Sequence, residues 1–319
     1  MQEAVVKVLI NDRLDDHHLV QIQSSAGDID LIIPESSDDA LEIMPEIDII
    51  FGGMSRDMFK RAERLKWVQT WGAGVDGMMY AEFVHSEVIL TSAKGTVGVH
   101  LSEHAMALLL GLTRGIARAI RTADWNERMP IRHASWELID KTMGIVGLGG
   151  TGCDVAIRAH AFGMRIIAVD PEDVEVPDCV EACWKMDRFY DLLSASDIVV
   201  VCCPLTEETR GIFDRMAFEK MQSHALLVNV TRGKIMDDAS LVAALETGRI
   251  AGAGLDVTPQ EPLPDDHPLW NMPNVIITPH TAGGSPNRQD RIVNLFCENL
   301  RRFLNGEDML SVIDKNKGY

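Results

Sequence analysis

Three side chains in the C-terminal half of the sequence have the types needed for acid–base chemistry on a carboxylic acid. Arg232 lies in VNVTRGKIMDD, Glu261 in LDVTPQEPLP and His280 in IITPHTAGG. A guanidinium presents a planar fork of donors that matches a carboxylate, and an imidazole gives or takes a proton near neutral pH. A carboxylate beside the imidazole would orient it and favour its charged form. A single Arg after a strand is usually a surface cation, and a single His is often a cap, but the ordered set predicts an active site.

A glycine-rich turn precedes these residues. Residues 147–152 read Gly-Leu-Gly-Gly-Thr-Gly, directly after the apolar segment MGIV and before a helical pattern. In this pattern the first glycine permits a tight turn, the second lets the backbone approach a pyrophosphate, and the third lets helix and strand pack closely. The N-terminus of the following helix attracts phosphate charge. The turn therefore predicts a dinucleotide site at Gly147, Gly149, Gly150, Thr151 and Gly152.

An acidic residue stands where such a site contacts the adenosine ribose. Asp170 ends the next apolar segment, RIIAVD, and is followed by Pro171, Glu172 and Asp173. A carboxylate at this position accepts hydrogen bonds from the ribose hydroxyls. A 2′-phosphate there would meet negative charge, and the next cation along the chain is Lys185. The sequence therefore predicts NAD as the cofactor.

The apolar pattern predicts the elements that position these residues. Two strand–helix series are separated by VHLSEHAMALLLGLTRGIARAIR, which predicts one long buried helix from Val99 to Arg121. Continuous apolar strands such as DIVVV indicate a parallel sheet covered on both faces, because parallel strands need helical crossovers. A last helix is predicted from about Asn287 to Leu304. The predicted strands are VVKVLI, DLIIP, IDIIFGG, KWVQTWG and VILTS, then MGIVGLG, RIIAVD, DIVVVCC, ALLVNV, GAGLDV and NVIITPH.

Composition excludes several classes of protein. The net charge of −18 would repel the phosphates of nucleic acid. No run of about eighteen apolar residues occurs, so no membrane span is expected, and the N-terminus lacks the layout of a signal peptide. The six cysteines are scattered and set in no disulfide framework, which favours the cytosol. Cys179 and Cys183 lack the second pair of ligands that a structural zinc needs.

Most of the sequence resembles the D-isomer-specific 2-hydroxyacid dehydrogenase family, which includes glyoxylate/hydroxypyruvate reductases and phosphoglycerate dehydrogenases. The resemblance rests on LKWVQTWGAGVDGM, KGTVGVHLSEHAMALLL, KTMGIVGLGGTG, CCPLTEETRGIF, LLVNVTRGKIMDDASLVAALETGRIAGAGLDVTPQEPLP and HPLWNMPNVIITPHTAG, in the family's order. It implies an α/β protein of two doubly wound parallel-sheet domains. A Rossmann dinucleotide-binding domain, residues 99–284, would be inserted into a flavodoxin-like substrate domain, residues 1–98 and 285–319. The cleft between the domains would hold the site.

The resemblance also implies roles for the candidate residues. Arg232 would bind the substrate carboxylate and the adjacent carbonyl oxygen, His280 would be the general acid and base, and Glu261 would hydrogen-bond the imidazole. Further cofactor contacts are implied at Cys203 for the adenosine side, Val230 and Asp256 for the nicotinamide carboxamide, and Gly283 beside the nicotinamide ring.

Other positions would contact the substrate or depart from the family's pattern. Met54 would line the pocket, and Ala73 and Gly74 would offer backbone N–H groups to the substrate carboxylate. Gly150 stands where the family often has Arg or another side chain, so the pyrophosphate contact is expected to be mainly through backbone. Lys94 stands where proline is common in the family.

The implied function is NAD(H)-dependent interconversion of a small 2-oxo acid and a D-2-hydroxy acid, without a metal. We expect a cytoplasmic homodimer in which the long apolar helix supplies the contact. The lack of an arginine cluster suited to phosphate favours small unphosphorylated substrates. Two alternatives remain. A formate- or phosphite-type dehydrogenase is one, although a formate enzyme would be expected to carry a neutral amide in place of Glu261. An NAD-sensing, corepressor-like binding protein is the other, and it would carry partner-binding grooves and tails beyond the core.

Overall fold

The chain folds into two compact units in a computed structural model that describes residues 5–319. Unit 1 comprises the described residues up to Val97 together with Ser285–Tyr319, and unit 2 comprises Gly98–Gly284. The chain therefore leaves unit 1 once, completes unit 2 as a continuous segment, and returns to unit 1 for its last helix.

The elements alternate along the chain as a parallel α/β fold requires. The strands are β1 (Val6–Asn11), β2 (Ile29–Ile32), β3 (Ile49–Gly52), β4 (Trp67–Gln69), β5 (Ile89–Thr91), β6 (Thr142–Val146), β7 (Arg165–Val169), β8 (Ala182–Trp184), β9 (Ile198–Val201), β10 (Leu226–Asn229), β11 (Gly252–Leu255) and β12 (Val275–Ile277). The helices are α1 (Asp16–Ser25), α2 (Ser37–Ile43), α3 (Arg56–Arg61), α4 (Ala81–Val84), α5 (Gly98–Thr113), α6 (Ile116–Thr122), α7 (Arg128–Ala134), α8 (Gly150–Ala161), α9 (Phe189–Ala195), α10 (Arg215–Lys220), α11 (Asp238–Glu246) and α12 (Arg288–Asn305). Single 3₁₀ turns lie at Met44–Glu46, Asp76–Met78, Trp125–Glu127, Met186–Arg188, Gly233–Ile235 and Pro268–Asn271.

The sheet of unit 1 has the strand order β2-β1-β3-β4-β5, and every pairing is parallel. This is the flavodoxin-like order, 2-1-3-4-5. The C-terminal helix α12 belongs to this unit because its Phe296 ring stacks on Phe51 and on Trp67, with centroids 4.2 and 5.1 Å apart. All three rings are buried, and aromatic rings of this size dominate the stabilisation of a core.

The sheet of unit 2 has the order β12-β11-β10-β9-β6-β7-β8, and every pairing is again parallel. With β6 counted as the first strand, this is the Rossmann order extended by one strand. In β9, Val199 and Val201 face one apolar core while Ile198 and Val200 face the other. The prediction of parallel sheets covered on both faces is therefore confirmed, as is the two-domain α/β fold class.

The prediction of one continuous helix from Val99 to Arg121 is wrong. Helix α5 ends at Thr113 and α6 begins at Ile116, with Gly115 between them at a φ of 66°. Glycine adopts this left-handed conformation without the steric cost of a side chain, so the helix changes direction there. The apolar pattern continues through the break, which is why it suggested a single element.

Two further features of unit 2 were missed. Strand β8 has three half-buried residues at the edge of the sheet, and so short a segment carries no clear alternation. The polar segment before β6 contains helix α7. None of the helices among residues 5–319 is long and apolar enough to cross a bilayer.

Candidate active site

The candidate residues of unit 2 follow the carboxyl ends of its strands. Because the strands of this sheet are parallel, these ends share one edge, which is where doubly wound sheets bind their ligands. Following β6, β7, β9, β10, β11 and β12 in turn, the candidates are Gly147, Asp170, Cys203, Val230 with Arg232, Asp256 with Glu261, and His280 with Gly283.

His280 and Glu261 form a hydrogen-bonded pair. The Nδ1 atom of His280 lies 2.8 Å from Oε2 of Glu261, and both side chains are partly exposed, at 49% and 39%. The other carboxylate oxygen of Glu261 accepts a hydrogen bond from the backbone N–H of Thr258 at 3.1 Å. A carboxylate fixed in this way accepts a hydrogen bond from Nδ1–H, which leaves Nε2 as the nitrogen able to exchange a proton.

The backbone of His280 adopts a conformation that is rare for a residue with a side chain. Its φ is 54°, and its N–H donates to the carbonyl oxygens of Asp256 at 2.8 Å and Thr278 at 2.9 Å. A left-handed residue other than glycine costs about 1–3 kcal/mol and persists only where its surroundings determine it. The loop after β12 is therefore held in place by contacts, and such strain is concentrated at functional sites.

Asp256 supplies most of those contacts. Its side chain is buried, and Oδ1 accepts hydrogen bonds from the Thr278 hydroxyl at 2.7 Å and from the Thr281 N–H at 2.8 Å. Oδ2 accepts from the Ala282 N–H at 3.0 Å. The sequence predicted Asp256 for the nicotinamide carboxamide, and its part in holding the loop of His280 was missed. No local pattern shows it, since the partners are more than twenty positions away.

Arg232 lies in the turn after β10, next to the segment that leads to Glu261. Its carbonyl oxygen accepts a hydrogen bond from Nδ2 of Asn229 at 3.0 Å, and its Nη1 donates to the carbonyl oxygen of Thr231 at 2.9 Å. The following residue, Gly233, packs against the backbone of Thr258 and Pro259 so closely that a Cβ there would overlap it. The structure thus brings the turns that carry Arg232 and Glu261 together.

The glycine-rich turn has the shape that a phosphate requires. Gly147 has a φ of 94°, and a Cβ on it would lie 2.6 Å from the backbone nitrogen of Cys203. Helix α8 begins at Gly150, with Gly149 at its N-cap and no side chain capping its first N–H groups. The first N–H groups of this helix are not capped by a side chain, and the glycines leave room for a ligand to approach the backbone. Such a helix N-terminus is suited to a pyrophosphate, so these residues fit a dinucleotide.

Asp170 is tied to that turn. Its Oδ2 accepts a hydrogen bond from the Leu148 N–H at 2.8 Å, and its Oδ1 accepts one from the Glu172 N–H at 2.9 Å. An ionised carboxylate has about four acceptor positions, so it can still accept from ribose hydroxyls. Lys185, distant in sequence, folds back so that its Nζ lies 2.6 Å from Oδ1 of Asp173. Its Nζ also donates to the carbonyl oxygen of Pro171, the residue after Asp170, at 3.2 Å, but the cation is already paired with the Asp173 carboxylate.

Cys203, Val230 and Gly283 differ in exposure. Cys203 and Val230 are buried, and burial raises the pKa of the Cys203 thiol to about 12. Cys203 is therefore a neutral packing group beneath the glycine turn at ordinary pH. Gly283 is half-buried at the end of the loop that carries His280.

The candidates in unit 1 are Met54, Ala73 and Gly74. Met54 follows β3 and is buried in the core of this unit. Ala73 is half-buried and Gly74 exposed in the turn after β4, where the Trp71 carbonyl oxygen accepts a hydrogen bond from Nη2 of Arg288 at 3.2 Å. Among the described residues, the N–H groups of Ala73 and Gly74 meet no acceptor from the chain itself.

A group of possible metal ligands in unit 1 was missed by the sequence reasoning. Within residues 5–319, Asp15, His17 and His18 form the one group of three whose ligand atoms lie within 4.8 Å of one another. His18 is buried and its Nε2 lies 2.8 Å from Oδ1 of Asp290. The group includes none of the residues predicted to act in the reaction.

Comparison with known proteins gives the family. The model described as "D-isomer specific 2-hydroxyacid dehydrogenase, NAD binding domain" matches residues 106–282, more than half of the chain. The chain belongs to the D-isomer specific 2-hydroxyacid dehydrogenase family. The matched residues all lie in unit 2, which contains the glycine turn and the Glu261–His280 pair.

Individual members of the family are similar over much of the chain. It is 34% identical to a glyoxylate reductase of Korarchaeum cryptofilum over 268 residues, which are 82% of this chain and 80% of that protein. It is 31% identical to a D-3-phosphoglycerate dehydrogenase of Methanocaldococcus jannaschii over 320 residues, 97% of this chain but only 60% of that relative. A solved NADPH-dependent glyoxylate/hydroxypyruvate reductase from Sinorhizobium meliloti, in complex with NADP and sulfate, has a TM-score of 0.82 and 28% identity, covering 98% of this chain and 100% of that one.

These matches confirm four predictions: the family, the pair of parallel α/β domains, the dehydrogenase class of enzyme and a nicotinamide dinucleotide cofactor. One departure from the family's pattern can be placed. The Nζ atom of Lys94 lies 5.8 Å from the centroid of the Tyr319 ring, and the carbonyl oxygen of Lys94 accepts a hydrogen bond from the Ser311 hydroxyl at 2.9 Å. Lys94 thus contacts the C-terminal tail of its own unit.

Proposed function

We propose that this member of the family catalyses the NAD(H)-dependent interconversion of a small 2-oxo acid and the corresponding D-2-hydroxy acid. The observation that carries the proposal is the 2.8 Å hydrogen bond between His280 and Glu261 at the strand edge that also bears the glycine turn. A proton donor oriented by a carboxylate, at the same sheet edge as a turn suited to a dinucleotide, supplies the acid–base group that a carbonyl reduction requires.

His280 is the general acid and base in this proposal. The bound nicotinamide supplies the hydride that reaches C2 of the 2-oxo acid, or accepts it in the reverse direction. In reduction, Nε2–H of His280 donates its proton to the carbonyl oxygen, so that the oxygen becomes the hydroxyl of the product. In oxidation the same nitrogen takes the hydroxyl proton. Glu261 holds the ring by Nδ1 and stabilises the positive charge that the ring carries when doubly protonated.

Arg232 binds the substrate in this proposal. Its guanidinium can donate two parallel hydrogen bonds to a carboxylate, or one to the carboxylate and one to the adjacent carbonyl oxygen. The hydrogen bond from Nδ2 of Asn229 to the Arg232 carbonyl oxygen holds the backbone from which the side chain extends. In unit 1, the N–H groups of Ala73 and Gly74 are the proposed donors to the substrate carboxylate.

The Met54 side chain is buried in the core of unit 1, so its proposed role is to shape the pocket through packing. The sequence shows no arginine cluster suited to a phosphate, which favours small unphosphorylated acids as substrates.

The cofactor residues are proposed on the same basis. The backbone of Gly147, Gly149, Gly150, Thr151 and Gly152 would hold the pyrophosphate, and Asp170 the ribose. Cys203 would pack on the adenosine side of the cofactor. Val230 and Asp256 would contact the nicotinamide carboxamide, and Gly283 would lie beside the nicotinamide ring. Asp256 can do so because its Oδ2 accepts a hydrogen bond from the Ala282 N–H and keeps a further acceptor position.

A panel of 2-oxo acids tests the reaction. Purified protein would be given NADH with glyoxylate, hydroxypyruvate, pyruvate, phenylpyruvate or 3-phosphohydroxypyruvate, and NADH consumption and the chirality of the product would be measured. We expect turnover with at least one of the four unphosphorylated acids and, where the product is chiral, the D-isomer. Complete inactivity with retained NADH binding would favour the NAD-sensing alternative. The formate-type alternative is disfavoured by Glu261, because a formate enzyme would be expected to carry a neutral amide at this position.

We also propose a homodimer, formed through exposed apolar side chains in and just after the segment that the sequence predicted as one long helix. The apolar side chains of α5 that are buried lie in the core of unit 2 itself. Beyond α5, Ile116 and Ile120 of α6 are exposed, at 49% and 74%, and Trp125 is 85% exposed. Large apolar side chains left exposed together mark interaction surfaces. Sedimentation velocity should show a dimer for the wild type and a monomer for Ile120→Lys.

The cytosol is the proposed compartment. All six cysteines are free, which is the usual state in a reducing environment.

A further inference from the structure

We infer that His104, on helix α5, is a positioning residue that holds the loop of His280 through Thr278 and Asp256. The inference deepens the proposed function and rests on it for its kinetic consequences. His104 Nε2 lies 2.7 Å from the Thr278 hydroxyl oxygen and 3.3 Å from Oδ1 of Asp256. The Thr278 hydroxyl lies 2.7 Å from the same Oδ1, so the three groups form a closed triangle.

The proton positions in this triangle follow from counting donors. An ionised Asp256 can only accept, so the single hydroxyl hydrogen of Thr278 is donated to it. The Thr278 oxygen must then accept from His104, which requires that Nε2 carries a hydrogen. In the opposite tautomer, the lone pair of Nε2 would face Oδ1 of Asp256. The geometry therefore assigns Nε2–H to His104.

The burial of Asp256 makes this donor important. The Asp256 side chain is 1% exposed, and a buried carboxylate must be satisfied by several hydrogen bonds or by a cation. Its donors are the N–H groups of Thr281 and Ala282, the Thr278 hydroxyl and, through that hydroxyl, His104. Within residues 5–319, His104 is the one side chain able to carry a positive charge that lies within ion-pair distance of Asp256.

The consequence for His280 follows from the backbone. The residues on either side of His280 that bind Asp256 are Thr278 and Thr281, and the N–H of His280 itself donates to the Asp256 carbonyl oxygen. These bonds hold the left-handed conformation that directs the imidazole to Glu261. Helix α5 thus acts on the proton donor without contacting the substrate.

Kinetics with matched variants test the role. His104→Leu removes the donor, His104→Gln keeps an N–H at a similar reach, and His160→Leu changes an exposed histidine on α8 as a control. We expect His104→Leu to lower kcat by about 10- to 100-fold, because a misplaced proton donor is inefficient. The KM for the 2-oxo acid should change much less, and His104→Gln should recover most of the loss. A wild-type kcat in His104→Leu, or a Gln variant no better than the Leu variant, would overturn the inference.

A spectroscopic measurement separates this inference from the proposed function. Long-range ¹H–¹⁵N spectra of the wild type, labelled at histidine and assigned with the His104 variants, report which ring nitrogen is protonated. We expect a protonated Nε2 on His104, and a shifted His280 signal in His104→Leu but not in His160→Leu. An unprotonated Nε2 would overturn the inference even in an active enzyme. Inactivity of the wild type on every 2-oxo acid would contradict the proposed function. The spectra would still show whether His104 donates a hydrogen bond to Thr278.

Discussion

Gly233 follows Arg232 directly, and its replacement by alanine would disturb the site without removing any functional group. A Cβ at this position would lie 2.6 Å from the backbone nitrogen of Pro259 and would overlap the carbonyl group of Thr258. Carbon atoms pack favourably at about 3.5–4.0 Å, so the two segments must separate by roughly 1.5 Å. Both neighbours are backbone atoms and cannot rotate away as a flexible side chain would.

The separation would displace Arg232 relative to Glu261 and His280. A misplacement of about 1 Å can lower a rate by about a hundredfold when the reacting groups must be aligned. Overpacking also destabilises a fold by about 1–3 kcal/mol, so unfolding must be measured alongside activity. We therefore expect Gly233→Ala to lower kcat/KM by about a hundredfold while the protein remains folded at the assay temperature.

The assay compares Gly233→Ala with Gly27→Ala, an exposed glycine whose added Cβ meets no atom within 4 Å. Steady-state kinetics with the best 2-oxo acid would be combined with NADH titration and thermal unfolding. The control should match the wild type in all three measurements. A Gly233→Ala enzyme with kcat/KM within about threefold of the wild type would refute the reasoning, because it would show that this backbone contact does not position Arg232.

Two further predictions concern binding groups. Arg232→Lys keeps the charge but loses the planar fork, so KM for the 2-oxo acid should rise and kcat should fall, and unaltered kinetics would mean that the carboxylate is held elsewhere. The wild type should prefer NADH to NADPH by at least roughly tenfold in kcat/KM, because the 2′-phosphate of NADPH would be repelled by the Asp170 carboxylate. Repulsion between unit charges about 4 Å apart is about 4 kcal/mol at an effective dielectric near 20, and solvent reduces that value. Asp170→Ser combined with Pro171→Arg should narrow that preference, and equal or better use of NADPH by the wild type would contradict the role of Asp170.

Local patterns were sufficient to predict every strand of residues 5–319 except β8, together with the glycine turn. Strands such as Ile198–Val201 are apolar on both faces because each face packs against its own core, and that requirement is visible in the sequence. The turn at residues 147–152 was equally visible, because its glycines recur at fixed spacing directly after an apolar strand, and the approach of Gly152 to the Gly147 carbonyl oxygen lies within the turn itself.

Features that depend on distant contacts were not predictable. The break at Gly115 leaves the apolar pattern of the helix intact, so periodicity does not show it. The hydrogen bond between His104 and Thr278 joins residues 174 positions apart, and neither residue is unusual in its own segment. The same is true of Gly233, whose close neighbour Thr258 belongs to another strand's loop. In each case the three-dimensional fold creates the constraint.

The central claim is that His280 is the proton donor, and His280→Ala tests it most directly when turnover and NADH affinity are measured on the same sample. Loss of a general acid–base group lowers turnover by about 10²–10⁴-fold, while the glycine turn proposed to bind the cofactor is unchanged by this substitution. We therefore predict a fall in kcat of that size with an NADH dissociation constant close to that of the wild type. Retention of more than roughly a tenth of the wild-type kcat would contradict the assignment.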